Sequence, residues 1–296
     1  MGNCITKKTK RVQKSMPPST SAAQCRSSFF LPNIRNKNKS GKREFIIKIK
    51  GIEYKVKELG IPLTELHRDI LDAILLSKKK YRETPKGFQV LFCLSDVYKI
   101  LNHRISKNKI KDKIQELRAT TYFLQDPNDA FKYFDFNILN ENEITGIEYK
   151  KGKGILAGKT NYYYIATIDH KFLDFENFDL QIYMNNKITK KIIELESANN
   201  KHLVRFCLSH DQINKDLDEV LTEIGIINDM MSKQLKYKIK KEILSDKDML
   251  FNNFHIEIKK IEKTGRLGIF YNKIKEIYFK NPATPLKYYL ENITVP

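Results

Sequence analysis

The stretch Ser95–Leu124, SDVYKILNHRISKNKIKDKIQELRATTYFL, carries the decision about fold. Ile110, Ile114, Leu117 and Thr121 fall on one stripe at helical spacing, so they are expected to face a core behind an N-cap at Ser106. Ser95 stands where it would cap a shorter helix with Val97, Ile100 and Leu101 inward, and the residues between leave room only for a tight turn. After the second helix, TTYFLQD and FKYFDFNIL have the aromatic and β-branched content of strands. Beyond a glycine- and lysine-rich loop, NYYYIATIDHKFLDF also reads as strands, and two helices across a tight turn followed by a β-hairpin with a basic tip is the layout of a winged helix.

At 100° per residue, burying Ile110, Ile114 and Leu117 turns Asn108, Lys111, Asp112 and Gln115 outward, flanked by Lys107 and Lys109. Asn and Gln pair bidentately with adenine, and Lys reaches guanine or phosphate, so this face suits duplex DNA. The competing reading is a solvated charged face. Repetition favours DNA, because Lys233, Lys236, Tyr237 and Lys240 occupy the outward stripe of a matching helix further on.

Working outward, EFIIKIKGIEYKVKEL (44–59) alternates apolar and charged residues about Gly51, the signature of a half-buried strand pair. IPLTELHRDILDAILLSKKKY predicts a first helix capped at Thr64, and GFQVLFCL a short apolar strand. The order then recurs. KHLVRFCLSHDQ, NKDLDEVLTEIG and NDMMSKQLKYKIKKEIL read as three helices, and NNFHIEIKKIEKTGRLGIFYNKI as a closing hairpin around Thr264 and Gly265. The halves also echo in residues, SDVYKIL against KDLDEVL and IKDKIQEL against LKYKIKKEIL. The expected fold is therefore α+β: a disordered basic tail over 1–43, winged-helix domains over 44–185 and 186–280, and an extension over 281–296. A single α+β domain of another fold is the alternative.

Charge agrees. Among 296 residues, 54 Lys and Arg face 35 Asp and Glu, a formal net charge of +19, which points to a polyanionic partner. The first 43 residues hold eleven of those cations and no acid, among Ser, Thr, Pro and Asn, a composition that predicts disorder. The remainder still carries +8, so the body is basic in its own right.

Lys150, Lys151, Lys153 and Lys159 sit in the loop GIEYKKGKGILAGKT, and Lys263 and Arg266 in the second hairpin. Both sets suit phosphate contacts on wings. The loop ends in Gly158-Lys159-Thr160 but lacks Walker A spacing, since Gly152 and Gly158 enclose five residues and Gly154 and Gly158 three; a strand-like NYYYI follows where a helix should begin. An ATPase is not expected. The six histidines are isolated, without a zinc-ligand pattern, and the acids lack nuclease spacing, so neither enzyme nor cofactor is expected.

Cys4, Cys25, Cys93 and Cys207 are scattered without C-x-x-C, which points to a reducing, cytoplasmic setting. No apolar run is long enough to span a membrane. One motif points the other way: MGNCIT fits the myristoylation pattern, with Cys4 available for palmitate.

The LRATTYF segment after the third helix, preceded by LSDVYKIL and followed by a hairpin, resembles the first winged-helix domain of TrfA-like plasmid replication initiators. The likeness runs over roughly Glu44 to Lys280. It implies a protein that binds repeated origin sites in double-stranded DNA, acts with a host helicase and the host initiator, and forms a homodimer that represses its own gene. It also implies recognition helices over Ser106–Arg118 and Asn228–Leu244, with Lys233, Lys236 and Lys240 carrying most base contacts. Some relatives bear a clamp-binding peptide Q-L-x-L-F; QCRSSFFLPN (24–33) lacks its spacing, leaving Phe29, Phe30 and Leu31 as a short docking motif or a chance cluster. A repressor on the same fold is the alternative function, and a membrane-associated protein using the MGNCIT end a weaker one.

Overall fold

A computed structural model describes residues 19–26, 29–32, 41–49, 51–140, 146–148, 162–173, 181–184 and 186–273. The strand pairings of its sheets are antiparallel, and helices pack among them in a mixed α and β architecture.

The alternating stretch forms a hairpin, β2 (Gly41–Ile49) with β3 (Ile52–Gly60), turned at Gly51, whose φ of 88° favours glycine. Helix α2 (Glu65–Ser77) follows, begun at Thr64, whose backbone N–H donates to His67 Nδ1 in a capping box. Next comes a hairpin of β4 (Lys80–Thr84) and β5 (Gly87–Cys93). Gly87 is required there: at φ 143° its Cβ would lie 2.0 Å from the Ile168 carbonyl oxygen. Helices α3 (Leu94–Ile100) and α4 (Lys107–Ala119) meet across a turn in which Asn102 and His103 take φ of 51° and 60°. Ser95 is not the cap of α3; the helix starts at Leu94, two residues earlier than that cap implies, with Cys93 at the N-cap. Thr121 leaves the α4 stripe because it opens β6 (Thr121–Asp126).

Strand β6 pairs with β7 (Asp129–Asn137), and the two join β2 and β3 in a sheet ordered β2-β3-β6-β7. The hairpin directly after α4 thus joins the β2–β3 sheet, while the basic loop expected at a hairpin tip lies between a further pair of strands. That pair is β8 (Gly146–Glu148) and β9 (Tyr162–Asp169), in a sheet ordered β4-β5-β9-β8. The first half has one helix, a strand pair where the sequence suggested one strand, two more helices, and an inserted hairpin.

In the second half, α5 (Asn186–Glu194) and α6 (Ala198–Leu208) precede β11 (Gln212–Asp216), α7 (Leu217–Glu223), α8 (Lys233–Ser245) and α9 (Lys247–Phe254). Strands β12 (Ile256–Lys260) and β13 (Leu267–Asn272) close a sheet ordered β11-β13-β12. The expected hairpin around Thr264 and Gly265 is present but begins at Ile256; Asn252 to Phe254 belong to α9, which ends where His255 takes φ 56°.

Two hydrophobic clusters form. One gathers Ile70, Ile74, Phe92, Val97, Ile110, Leu117, Tyr122 and Phe136. The other gathers Leu203, Phe206, Leu217, Leu221, Ile239, Ile243, Phe254 and Tyr271.

The expectation of disorder through residue 43 fails for 19–26 and 29–32. Strand β1 (Ser19–Ser21) pairs with β10 (Gln181–Tyr183), and α1 (Ala22–Cys25) places Cys25 in the second cluster. Phe29 and Phe30 are buried in the first cluster, with Phe29 against Tyr122 at 4.9 Å between ring centroids. Leu31 exchanges backbone hydrogen bonds with Leu63 and Glu65, each 2.9 Å. The apolar cluster in a polar tail therefore docks on the protein's own core, because burying two phenylalanines outweighs the entropy of ordering a few residues. Residues 1–18, with the MGNCIT motif, and 274–296 lie outside the described residues. Phe29→Ala is expected to lower the unfolding free energy by about 3 kcal/mol in urea denaturation. A segment free in solution would show no change.

Candidate nucleic-acid interface

Two helices of equal length carry the candidate residues. Each starts at a serine whose Oγ accepts the backbone N–H three residues on: Ser106 from Lys109 at 3.2 Å for α4, and Ser232 from Leu235 at 3.3 Å for α8.

In α4, Ile110, Ile114 and Leu117 are buried and Lys107, Asn108, Lys109, Lys111, Asp112 and Gln115 are exposed, as the periodicity required. Lys107 Nζ donates to Ser95 Oγ at 3.0 Å and lies 5.6 Å from the Tyr98 ring centroid. Lys111 Nζ lies 5.8 Å from the Tyr164 ring on β9. Gln115 Oε1 accepts from Arg118 Nη1 at 2.7 Å. On the inner side, His67 Nδ1 accepts from Thr64 N–H, so its Nε2–H donates to Glu116 at 2.8 Å. Burial holds the His67 pKa below its ordinary value, consistent with that neutral tautomer. The hydrogen bond from His67, aided by Lys113, lowers the Glu116 carboxyl to about 2.

In α8 the outcome is mixed. Lys233 is exposed and Tyr237 is 68% exposed, as expected. Lys236 and Lys240 sit at the edge of the face: Lys236 Nζ is 3.9 Å from Asp229, and Lys240 Nζ is 2.6 Å from Asp218 on α7. The centre of the exposed face is Gln234, Tyr237, Lys238 and Lys241. Three of these were missed, although placing them 180° from Ile239 and Ile243 would have found them. Such half-exposed ion pairs contribute about 0–1 kcal/mol, so phosphate can displace the acid partners.

On the second hairpin, Lys263 and Arg266 are exposed at the tip, and Lys259 Nζ lies 4.8 Å from the Phe270 ring. Lys150, Lys151, Lys153 and Lys159 lie outside the described residues; the chain that carries them joins the paired strands β8 and β9.

The fold has counterparts among solved structures. The fold is that of RctB domains 2 and 3. A selenomethionine crystal structure of those domains superposes with a TM-score of 0.53 at 12% identity, over 86% of this chain and 99% of that one. A second crystal structure of RctB domains 2–3 gives the same score and identity over 84% and 95%. No protein-family model and no curated protein sequence matches the chain. The RctB likeness covers most of the chain.

Because the Glu116 pKa is depressed, its stabilising contribution is present above the ordinary carboxylate value of 4.5 and is lost as pH falls towards 2. An NMR titration of the Glu116 carboxyl is expected to give a midpoint about 2, and Glu116→Gln is expected to remove that limb of the stability profile.

Proposed function

We propose that this protein is a sequence-specific double-stranded DNA-binding protein that initiates replication at repeated origin sites, as in TrfA-like plasmid initiators. One observation carries the reading: two serine-capped helices of the same length turn basic, amide-bearing faces outward at the same place in two repeated units. In the second unit, the order α6, β11, α7, α8, β12, β13 with sheet order β11-β13-β12 is what a winged helix requires. In the first, α2, β5, α3, α4, β8, β9 with order β5-β9-β8 repeats it, and β2, β3, β6 and β7 form an added sheet. We assign α4 and α8 as recognition helices, with boundaries near 44–185 and 186–280.

RctB is a replication initiator, so this fold is one that an initiator uses. In our reading, Asn108, Gln115, Gln234 and Tyr237 face base edges. Lys107, Lys111, Lys233, Lys238 and Lys241, with the wing cations Lys150, Lys151, Lys153, Lys159, Lys263 and Arg266, face phosphates. Lys236 and Lys240 join them once released from Asp229 and Asp218. The protein performs no covalent chemistry itself and works with a helicase and a host initiator, on a plasmid or other mobile element.

The test is a salt titration of purified protein on the duplex flanking its own gene, against a scrambled duplex of equal length. We expect a footprint with a repeating period on the first duplex only. Lys238→Ala with Lys241→Ala should flatten the slope of log affinity against log salt by about 0.9 for each lost phosphate contact. Gln234→Ala should cost about 1–3 kcal/mol and relax sequence preference. Equal, steeply salt-dependent binding to both duplexes would overturn the assignment and leave only bulk electrostatic attraction.

A further inference from the structure

The first core includes α2 and the second includes α6, and between them lies a cluster of buried charges. Glu65, Asp69 and Asp72 form a stripe on α2, and Lys201, His202 and Arg205 face them from α6. Every one of these side chains is at most 7% exposed. Arg205 donates from Nη1 to Glu65, and from Nη2 to Asp69 at 3.2 Å and Asp72 at 2.9 Å. Lys201 Nζ donates to Asp69 and to the Ile193 carbonyl, the latter at 3.0 Å. His202 Nδ1 is 2.7 Å from Glu65 Oε1.

The polar links do not stop at the junction. On one side, α2 reaches α4 through His67 and Glu116. On the other, α6 reaches α8: Ser197 and Asn199 donate to Glu242 at 2.5 and 3.3 Å, and Asn200 Nδ2 donates to Asp246 at 2.5 Å. A continuous chain of directional bonds therefore runs from one exposed basic helix to the other, through Arg205. Apolar residues of similar volume would hold two helices together as well or better, since burying charges costs several kcal/mol for each ion. What ions add is geometry. An apolar contact slides, whereas a guanidinium fork bonded to three carboxylates has one seating.

We infer that this buried junction, with Arg205 as its positioning residue, fixes the separation of α4 and α8, so that the DNA site is two tracts at a spacing set to the base pair. The inference rests on the DNA-binding reading above. One inserted base pair shifts the second tract by about 3.4 Å and turns it by about 35°, which a rigid pair of helices cannot follow.

The junction is tested first without DNA. Spin labels at Ala119→Cys and Ser245→Cys, exposed positions on α4 and after its counterpart face on α8, are placed in the full chain with Cys4→Ser; Cys25, Cys93 and Cys207 are buried. Pulsed dipolar spectroscopy should give one narrow distance in the otherwise unaltered protein and a broad distribution in Arg205→Met. Arg205→Met removes a bond from each of three buried carboxylates, leaving them Lys201, His202 and Arg68, and can unfold the chain. Lys201→Met with Asp69→Leu removes a cation and an anion together and gives a second, charge-balanced probe. A broad distribution in the parent protein, or a parental distribution in a folded variant, overturns the proposal.

The second arm uses duplexes selected from a random library by the parent protein. One base pair inserted between the protected tracts should weaken parental binding by roughly tenfold or more, the cost of losing one or two base contacts, and weaken the variant less. Equal tolerance of insertion by parent and variant overturns the spacing role. Selection of no duplex overturns the DNA reading itself, while the distance measurement still reports on the junction.

Discussion

The Arg205 guanidinium is the point on which the structure turns. It sits on α6 among the apolar side chains of the second core, yet its partners Glu65, Asp69 and Asp72 all belong to α2. Burial opposes its charge, but the three carboxylates outweigh burial and hold its pKa above the ordinary value. Burial likewise opposes charge on Glu65, and there Arg205 and His202 prevail and hold the carboxyl below its usual range. Asp69 is the strained member: burial pushes it up to about 6 in spite of Arg205 and Lys201. A raised acid stabilises the fold below its ordinary value of 3.8 and loses that contribution as pH rises through 6, the opposite sense to Glu116.

The segment from residue 19 to residue 32 reinforces this junction from outside. Gln24 Oε1 accepts from Arg68 Nη1 at 2.8 Å on α2, while Arg26 Nε donates to Ser209 Oγ at 2.9 Å at the end of α6. Phe29 and Phe30 then enter the first core and Cys25 the second. Arg104, after α3, donates to the carbonyls of Ile193 at 3.0 Å and Leu195 at 2.6 Å. The two halves are thus joined by a strap, a loop arginine and an ionic cluster, all distant from the exposed faces of α4 and α8. The buried sides of α4 and α8 pack into the two cores, and their outer faces carry the cations.

Much of the layout was legible because it is local. Ser106 and Thr64 announce helix starts, the isoleucine spacing of α4 and α8 sets their buried sides, and Gly51 and Gly265 mark hairpin turns, whereas α8, expected from Asn228, starts only after its cap at Ser232. What escaped was non-local or edge-like. Strand β4, KYRET, has no apolar alternation because it lies at a sheet edge with little to bury. The hairpin β6–β7 has ideal strand composition, and composition does not say which sheet it joins. In α8, Lys236 and Lys240 looked outward until Asp229 and Asp218 were seen beside them.

The sequence by itself determined the excess of positive charge, the helix caps, the amphipathic stripes and the doubling of the helix pattern, since each depends on residues within a few turns of one another. Only the tertiary structure decided where the phenylalanines of the tail are buried, which strands share a sheet, and that α2 and α6 are bound by buried ions. Arg205 and Asp72 are 133 residues apart in the chain. In the sequence both read as ordinary charged positions on amphipathic helices, because nothing local distinguishes a charge that meets water from one that meets its partner across a closed interface.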